Sequence, residues 1–123
     1  ESYVTNAGFS HVTEEGDFPS SQDNSKWGVH DHIVFDRLLQ ECDSARAPFF
    51  KVMLSLSSHE PFDVPLDPPF LSEKDDASMF LNACYYTDQS LGRFIDAAKT
   101  RSWWNNTWVI ITADHGQRFP DTQ

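Results

Sequence analysis

The chain has 123 residues, enough for one domain with a real core, of which 39% are hydrophobic, 23% charged and 14% aromatic. Seventeen aromatic side chains (ten Phe, four Trp, three Tyr) are too many for a disordered segment, so a folded chain is expected. Lysine and arginine number 9 against 19 aspartates and glutamates, a net charge of −10. A surface this acidic repels phosphate backbones, and no basic stripe offsets it, which argues against a nucleic-acid partner. The charge does not exclude one anion pocket, because a bound metal inverts the local field. No run of ~18 apolar residues occurs, so no membrane span is expected within these residues. Cys42 and Cys84 lie far apart with no CxxC spacing, so free thiols and a single bridge both stand.

In chain order, residues 1–29 mix scattered aromatics with Ser, Asp, Glu and Gly and read as mostly loop, with room for a short helix at the start. Asp31 has the chemistry of an N-cap before Ile33, Val34, Leu38 and Leu39, which share one helical face, so a helix is expected from about 31 to 43. It should stop before Pro48. His30 and His32 flank that cap and are expected to face solvent. The nearly continuous apolar run from Phe49 to Leu56 fits a strand buried on both faces, as in a parallel sheet. A long loop follows from Ser57 to about Glu73, with Pro61, Pro65, Pro68 and Pro69. Loops past ~12–15 residues in compact domains are usually functional or disordered. Residues 75–101 carry a helical stripe of Met79, Phe80, Ala83, Cys84, Leu91, Phe94, Ile95 and Ala98, within which Asp88 is either a buried capping acid or, the favoured reading, an exposed-face residue. Trp108 to Ala113 repeats the buried-strand pattern. A right-handed crossover between parallel strands makes the fold class α/β, a largely parallel sheet with flanking helices.

Parallel strands place their C-terminal ends on one sheet edge, where ligands bind in open α/β folds. The first run ends at Ser57-Ser58-His59-Glu60 and the second at Asp114-His115-Gly116, so two histidines and an aspartate are expected to converge there. Gly116 permits the turn that aims both Asp114 and His115 at one point. A carboxylate oxygen and an imidazole nitrogen suit zinc, manganese and similar cations, although two ligands are fewer than the three or four a zinc site needs. The plainer alternative has Asp114 capping a turn beside a solvated His115. His59 likewise fits a strand-end histidine hydrogen-bonded to the Pro-rich loop, and Glu60 a solvated acid. His11, His30 and His32 show no ligand spacing that reaches a common site. Trp27, Trp103 and Trp104 could form a carbohydrate-stacking platform, but packing at helix ends explains them more simply. There is no GxSxG, no phosphate-cradling glycine loop and no HExxH.

Four segments in order resemble the alkaline phosphatase/sulfatase superfamily, and most of all the lipoteichoic acid synthase-like phosphoglycerol transferases. They are Ala7-Gly8-Phe9 after Tyr3; Trp27-Gly28-Val29-His30-Asp31 with Phe35; Pro48-Phe49-Phe50 through Ser57-Ser58-His59-Glu60-Pro61-Phe62; and Tyr86-x-Asp88-x-x-Leu91-Gly92-x-Phe94 leading to Asn106-Thr107 and Asp114-His115-Gly116. The resemblance implies an alkaline phosphatase-like fold, with residues 1–123 the C-terminal part of a single sulfatase-like catalytic domain. It implies that Asp114 and His115 bind a divalent metal, manganese first, with magnesium, calcium or zinc as alternatives. It implies that His59 contacts the substrate headgroup or its phosphate. The substrate would be a phosphoglycerol lipid or another phosphate or sulfate ester, attacked through a covalent threonine-type intermediate.

None of Thr5, Thr13, Thr87, Thr100, Thr107 or Thr112 matches the family's nucleophile, so no catalytic nucleophile is assigned in this chain. The resemblance places it upstream, with an acidic metal ligand and a Trp-and-Arg headgroup cluster, and a further metal-site histidine downstream of Gln123. Trp27 does not correspond to that headgroup Trp. The parent would be membrane-anchored with an extracytoplasmic catalytic domain, and this piece alone inactive. Sulfate-ester hydrolysis, phosphoethanolamine transfer and a non-catalytic α/β binding module are the alternatives.

Overall fold

A computed structural model describes residues 2–116. A short helix α1 (Ser2–Asn6) opens the chain, followed by irregular backbone and two 3-10 turns at Glu15–Asp17 and Ser20–Gln22. Strands β1 (Asp23–Ser25) and β2 (Gly28–Val29) form a tight antiparallel hairpin, with Asp23 opposite Val29 and Ser25 opposite Gly28. Only Lys26 and Trp27 connect them. The Ser25 hydroxyl donates to the Gly28 carbonyl (2.9 Å) and accepts from the Trp27 N–H (3.1 Å), which locks the turn. Gly28 has φ +95°, and a Cβ there would lie 3.2 Å from the Glu15 side chain, so both backbone and space call for glycine.

The body of the fold is α2 (Asp31–Ser44) against α3 (Asp76–Ala98). Phe35 and Cys42 are buried on one face of α2, and the Phe35 and Phe94 rings meet at 5.4 Å. On α3, Asn82, Ala83, Tyr86, Ser90 and Ala98 turn inward at helical spacing. Asp75 caps α3, its carboxylate accepting from the Ser78 amide (3.0 Å) and hydroxyl (2.8 Å). Asp88 is exposed, as its position on the stripe predicts. Both cysteines are free, and burial pushes both thiols above the usual range. Among the described residues no helix is long and apolar enough to cross a membrane.

The long loop after Leu56 lies along α3 and is tied to it. The Asn82 side chain accepts from the Leu71 N–H (2.7 Å) and donates to the Leu71 carbonyl (2.9 Å). Phe70 stacks on Tyr85, and buried Phe62 meets Phe80 edge-on. Phe62 has φ +61°, a backbone region costly for a bulky residue, held here by that burial.

The expected parallel sheet is not formed among the described residues, whose one sheet is the β1–β2 hairpin. The runs 49–56 and 108–113 carry no strand assignment and leave most of their apolar side chains exposed, with Phe49 and Met53 half-buried. Phe50 is 77% exposed and Trp108 93%. Pairing and burial require neighbouring strands, and neither run has one here. Run 49–56 instead lines an open cleft of about 1400 Å³ with the 8–20 segment and α2. A cluster at Glu41 fastens the run on one side: its carboxylate accepts from Arg37 (3.0 Å) and Lys51 (2.9 Å), and also from the Thr13 hydroxyl. Partial burial alone would raise the Glu41 pKa, but these donors and the Lys51 charge outweigh it and hold it at about 2.

Candidate functional site

Asp31 organises the surroundings of His59. Sequence placed it as an N-cap, but the cap position belongs to His30, whose side chain makes no capping bond, and Asp31 is the first helical residue. Its side-chain hydrogen bonds go to other segments of the chain. At 1% exposure, one carboxylate oxygen accepts from the Leu56 (3.0 Å) and Ser57 (3.3 Å) amides, and the other from the Thr87 hydroxyl (3.0 Å). Ser57 returns a bond, its hydroxyl accepting from the Asp31 N–H (3.1 Å). Ser58 pairs with Thr87 at 3.2 Å. A buried carboxylate thus ties the start of α2, the end of the first apolar run and the middle of α3 together. This is favourable because every oxygen contact is a donor.

The pinned chain then makes two successive turns, the His59 amide donating to the Leu56 carbonyl (3.0 Å) and the Phe62 amide to the His59 carbonyl (2.9 Å). His59 sits at their junction, exposed. Trp27, at the hairpin tip, lies against it: the two ring centroids are 4.6 Å apart and edge-to-face. The Trp27 indole N–H donates to the Glu60 carbonyl at 2.7 Å, and the Lys26 ammonium stands 5.3 Å from the indole centroid on the same residue. Sequence linked Trp27 with Trp103 and Trp104. The structure separates their contacts: Trp103 packs with Phe49 and Trp104 and donates to Asp43 (2.9 Å).

His30 and His32 do not face solvent as expected. His30 is 4% exposed, its Nδ1 buried without a hydrogen-bond partner among the described residues. The Tyr86 hydroxyl accepts from the His32 backbone N–H (3.3 Å) and hydrogen-bonds the His32 Nδ1. Burial, then the nearby His30 and Arg93, lower the His32 pKa, while burial raises that of Tyr86. Both shifts favour the uncharged forms, so the contact joins a neutral phenol to a neutral imidazole. The packing of Tyr86 against the start of α2 draws these histidines inward, which alternation along the sequence does not reveal.

Asp114 and His115 follow the second apolar run, both exposed. The His115 amide donates to an Asp114 carboxylate oxygen (2.9 Å), and the other oxygen lies 3.7 Å from Nε2. The His115 Nδ1 donates to the Gly116 carbonyl (2.8 Å), since a carbonyl only accepts. Nε2 of the neutral ring is therefore a lone-pair donor beside a carboxylate, a pair that fits a divalent cation. Among the described residues no group of three or more His, Cys, Asp or Glu could hold a metal, so these two are part of a ligand set at most. Their bonds are local, and none of them reaches the Trp27–His59 pair. The structure assembles each half of the expected edge without joining them.

The sequence profile of the sulfatase family matches residues 1–122. The chain belongs to the sulfatase family. It is similar to a lipoteichoic acid synthase-like protein of Bacillus subtilis (strain 168), 25% identical over 96 residues, which are 75% of this chain and 16% of that protein. It is also similar to phosphoglycerol transferase I of Xanthomonas campestris pv. campestris, 29% identical over 98 residues in one strain, or 74% of this chain and 14% of the relative. The same-named protein of strain B100 is 28% identical over 98 residues. The chain thus spans under a fifth of the length of these relatives. No solved structure matches it. Family membership carries the alkaline phosphatase-like α/β class and places the chain in an enzyme family of the lipoteichoic acid synthase-like kind.

Proposed function

We propose that the chain is part of the catalytic domain of a metal-dependent phosphoglycerol transferase, contributing Asp114 and His115 to a divalent-cation site, manganese by preference, and His59 to the substrate site. One observation carries the reading: the Gly116 carbonyl engages the His115 Nδ1–H, which leaves Nε2, 3.7 Å from an Asp114 carboxylate oxygen, as the nitrogen available to a cation. The cation would polarise the phosphoryl oxygens and favour the ionised nucleophile. Asp114 supplies charge, and the Gly116 carbonyl fixes the His115 tautomer. His59 supplies an imidazole to a glycerol hydroxyl or phosphate oxygen. The nucleophile is a threonine-type hydroxyl outside this chain. It takes the phosphoglyceryl group while the substrate's lipid alcohol leaves with a proton, and an acceptor hydroxyl then takes the group and regenerates it. The names of the relatives support phosphoglycerol as the group transferred. The exposed apolar runs 49–56 and 108–113 support a parallel sheet completed by further strands, which would bring His59 and the Asp114–His115 pair to one edge. A membrane-anchored, extracytoplasmic parent belongs to the same reading.

The test is substitution in the full-length protein. Asp114→Ala and His115→Ala are expected to lower phosphoglycerol transfer by at least ~100-fold and to deplete bound metal. Unchanged activity and metal content would overturn the reading in favour of a non-catalytic α/β module. The present chain, with two ligands, is expected to bind manganese no tighter than high micromolar by calorimetry and to show no turnover; tight stoichiometric binding would refute the shared-site assignment.

A further inference from the structure

We propose that Trp27 is a positioning residue for His59, setting both the ring orientation and the tautomer, so that the face offered to substrate is the Nε2 lone pair. The inference rests on the reading of His59 as a substrate contact. The Glu60 carbonyl accepts two hydrogen bonds: from the Trp27 indole N–H at 2.7 Å and from the His59 Nδ1 at 3.1 Å. A carbonyl oxygen has two lone pairs and no proton to give. His59 Nδ1 must therefore carry the hydrogen, and in the neutral ring Nε2 is bare. Trp27 acts twice on this arrangement. Its N–H fixes the direction of the carbonyl that holds the His59 proton. Its ring, 4.6 Å from the imidazole centroid at 64°, walls one side of the imidazole and limits rotation about the Cβ–Cγ bond.

The hairpin explains why this residue can do so. The two-residue turn, locked by Ser25, projects Trp27 outward, and the Asp31 carboxylate holds the 56–59 turn at the base of the same hairpin. An Nε2 lone pair accepts a hydrogen bond from an alcohol hydroxyl, which a fully ionised oxyanion cannot supply. The substrate class this tautomer selects is therefore a hydroxyl-bearing headgroup, glycerol rather than a bare phosphate or sulfate.

The experiment is nitrogen-15 NMR of the imidazole side chains in the full chain, observed in the neutral form, for the wild type, Trp27→Phe and Trp27→Ala. Trp27 is 43% exposed, so neither variant empties a core, and amide protection at Ser57 checks that the fold is kept. The wild-type His59 is expected to show the Nδ1–H tautomer as the dominant form. Trp27→Phe, which retains a ring wall but loses the N–H, should shift the population part-way toward Nε2–H, and Trp27→Ala further. A wild-type Nε2–H tautomer, or a tautomer balance unmoved in Trp27→Ala, would overturn the proposal. Titration with glycerol 1-phosphate and with inorganic phosphate separates the two readings. A His59 shift with the glycerol ester alone supports the hydroxyl selection, and an equal response to both overturns it. No response to either, with a Trp27-dependent tautomer, upholds the positioning role and counts against His59 as a substrate contact.

Discussion

Removing the Asp31 carboxylate tests the architecture around His59 most directly. In Asp31→Ala the buried Ser57 amide and the part-buried Leu56 amide lose their acceptor, while the Thr87 hydroxyl can turn to Ser58 at 3.2 Å. One buried and one part-buried donor left unsatisfied cost ~1–3 kcal/mol each, so the loss should be about 2–6 kcal/mol. That is a large fraction of the ~5–15 kcal/mol that holds a typical domain together. Asp31→Asn keeps one acceptor oxygen for the amide pair and should cost about 1–2 kcal/mol. The informative variant is Asp31→Ser. Serine caps helices as well as aspartate, so a capping role would leave stability within a few tenths of a kcal/mol. A hub role would not, because the shorter side chain cannot span to both the 56–57 amides and Thr87. Urea unfolding followed by tryptophan fluorescence should place the Asp31→Ala and Asp31→Ser midpoints lower by about 1–3 M. Hydrogen exchange should accelerate at the Leu56 and Ser57 amides in both. An Asp31→Ser protein as stable as wild type, or an Asp31→Ala loss below ~1 kcal/mol, would refute the reasoning.

The Glu41 cluster predicts a pH dependence. Its pKa is about 2 in the fold against an ordinary 4.5, so its contribution is fully present above pH 4.5 and is lost as pH falls toward 2. The unscreened shift corresponds to roughly 3 kcal/mol, which solvent screening reduces to about 1–2 kcal/mol. Glu41→Gln should lower stability by that amount at pH 7 and flatten the acid limb of the unfolding midpoint; an unchanged acid limb would count against the cluster. Asn82→Ala should cost about 2–3 kcal/mol by stranding the Leu71 N–H and carbonyl, seen as a lower Tm and faster exchange at Leu71.

The helices were legible in the sequence because their cause is local. An apolar period of 3.6 in the windows 31–43 and 75–101 anticipates α2 and α3 to within one residue at the α2 C-terminus and three at that of α3. The short helix at the start and the long loop after Leu56 follow from local composition in the same way. The motif order from Trp27-Gly28 to Asp114-His115-Gly116 was enough to place the chain in the sulfatase family, since residue types at fixed spacing carry that information without coordinates.

What only tertiary structure decided is where the polar side chains of those motifs go. Asp31 reads as a cap from its neighbours, yet its partners are 25, 26 and 56 residues away in sequence, and nothing in a local window names them. His30 and His32 read as solvated, but the Tyr86 hydroxyl draws His32 in from another helix. Trp27 reads as a helix-end packing residue grouped with Trp103 and Trp104, but the hairpin and the 59–62 turn bring it against His59 instead. The two apolar runs make the complementary point. Their composition anticipates buried strands, but a strand is a property of a pair, and without a neighbouring strand 108–113 is exposed and 49–56 mostly so. Helical hydrogen bonds close within a few residues, so sequence determines them; ladders, buried carboxylates and histidine tautomers depend on distant partners, so the fold does.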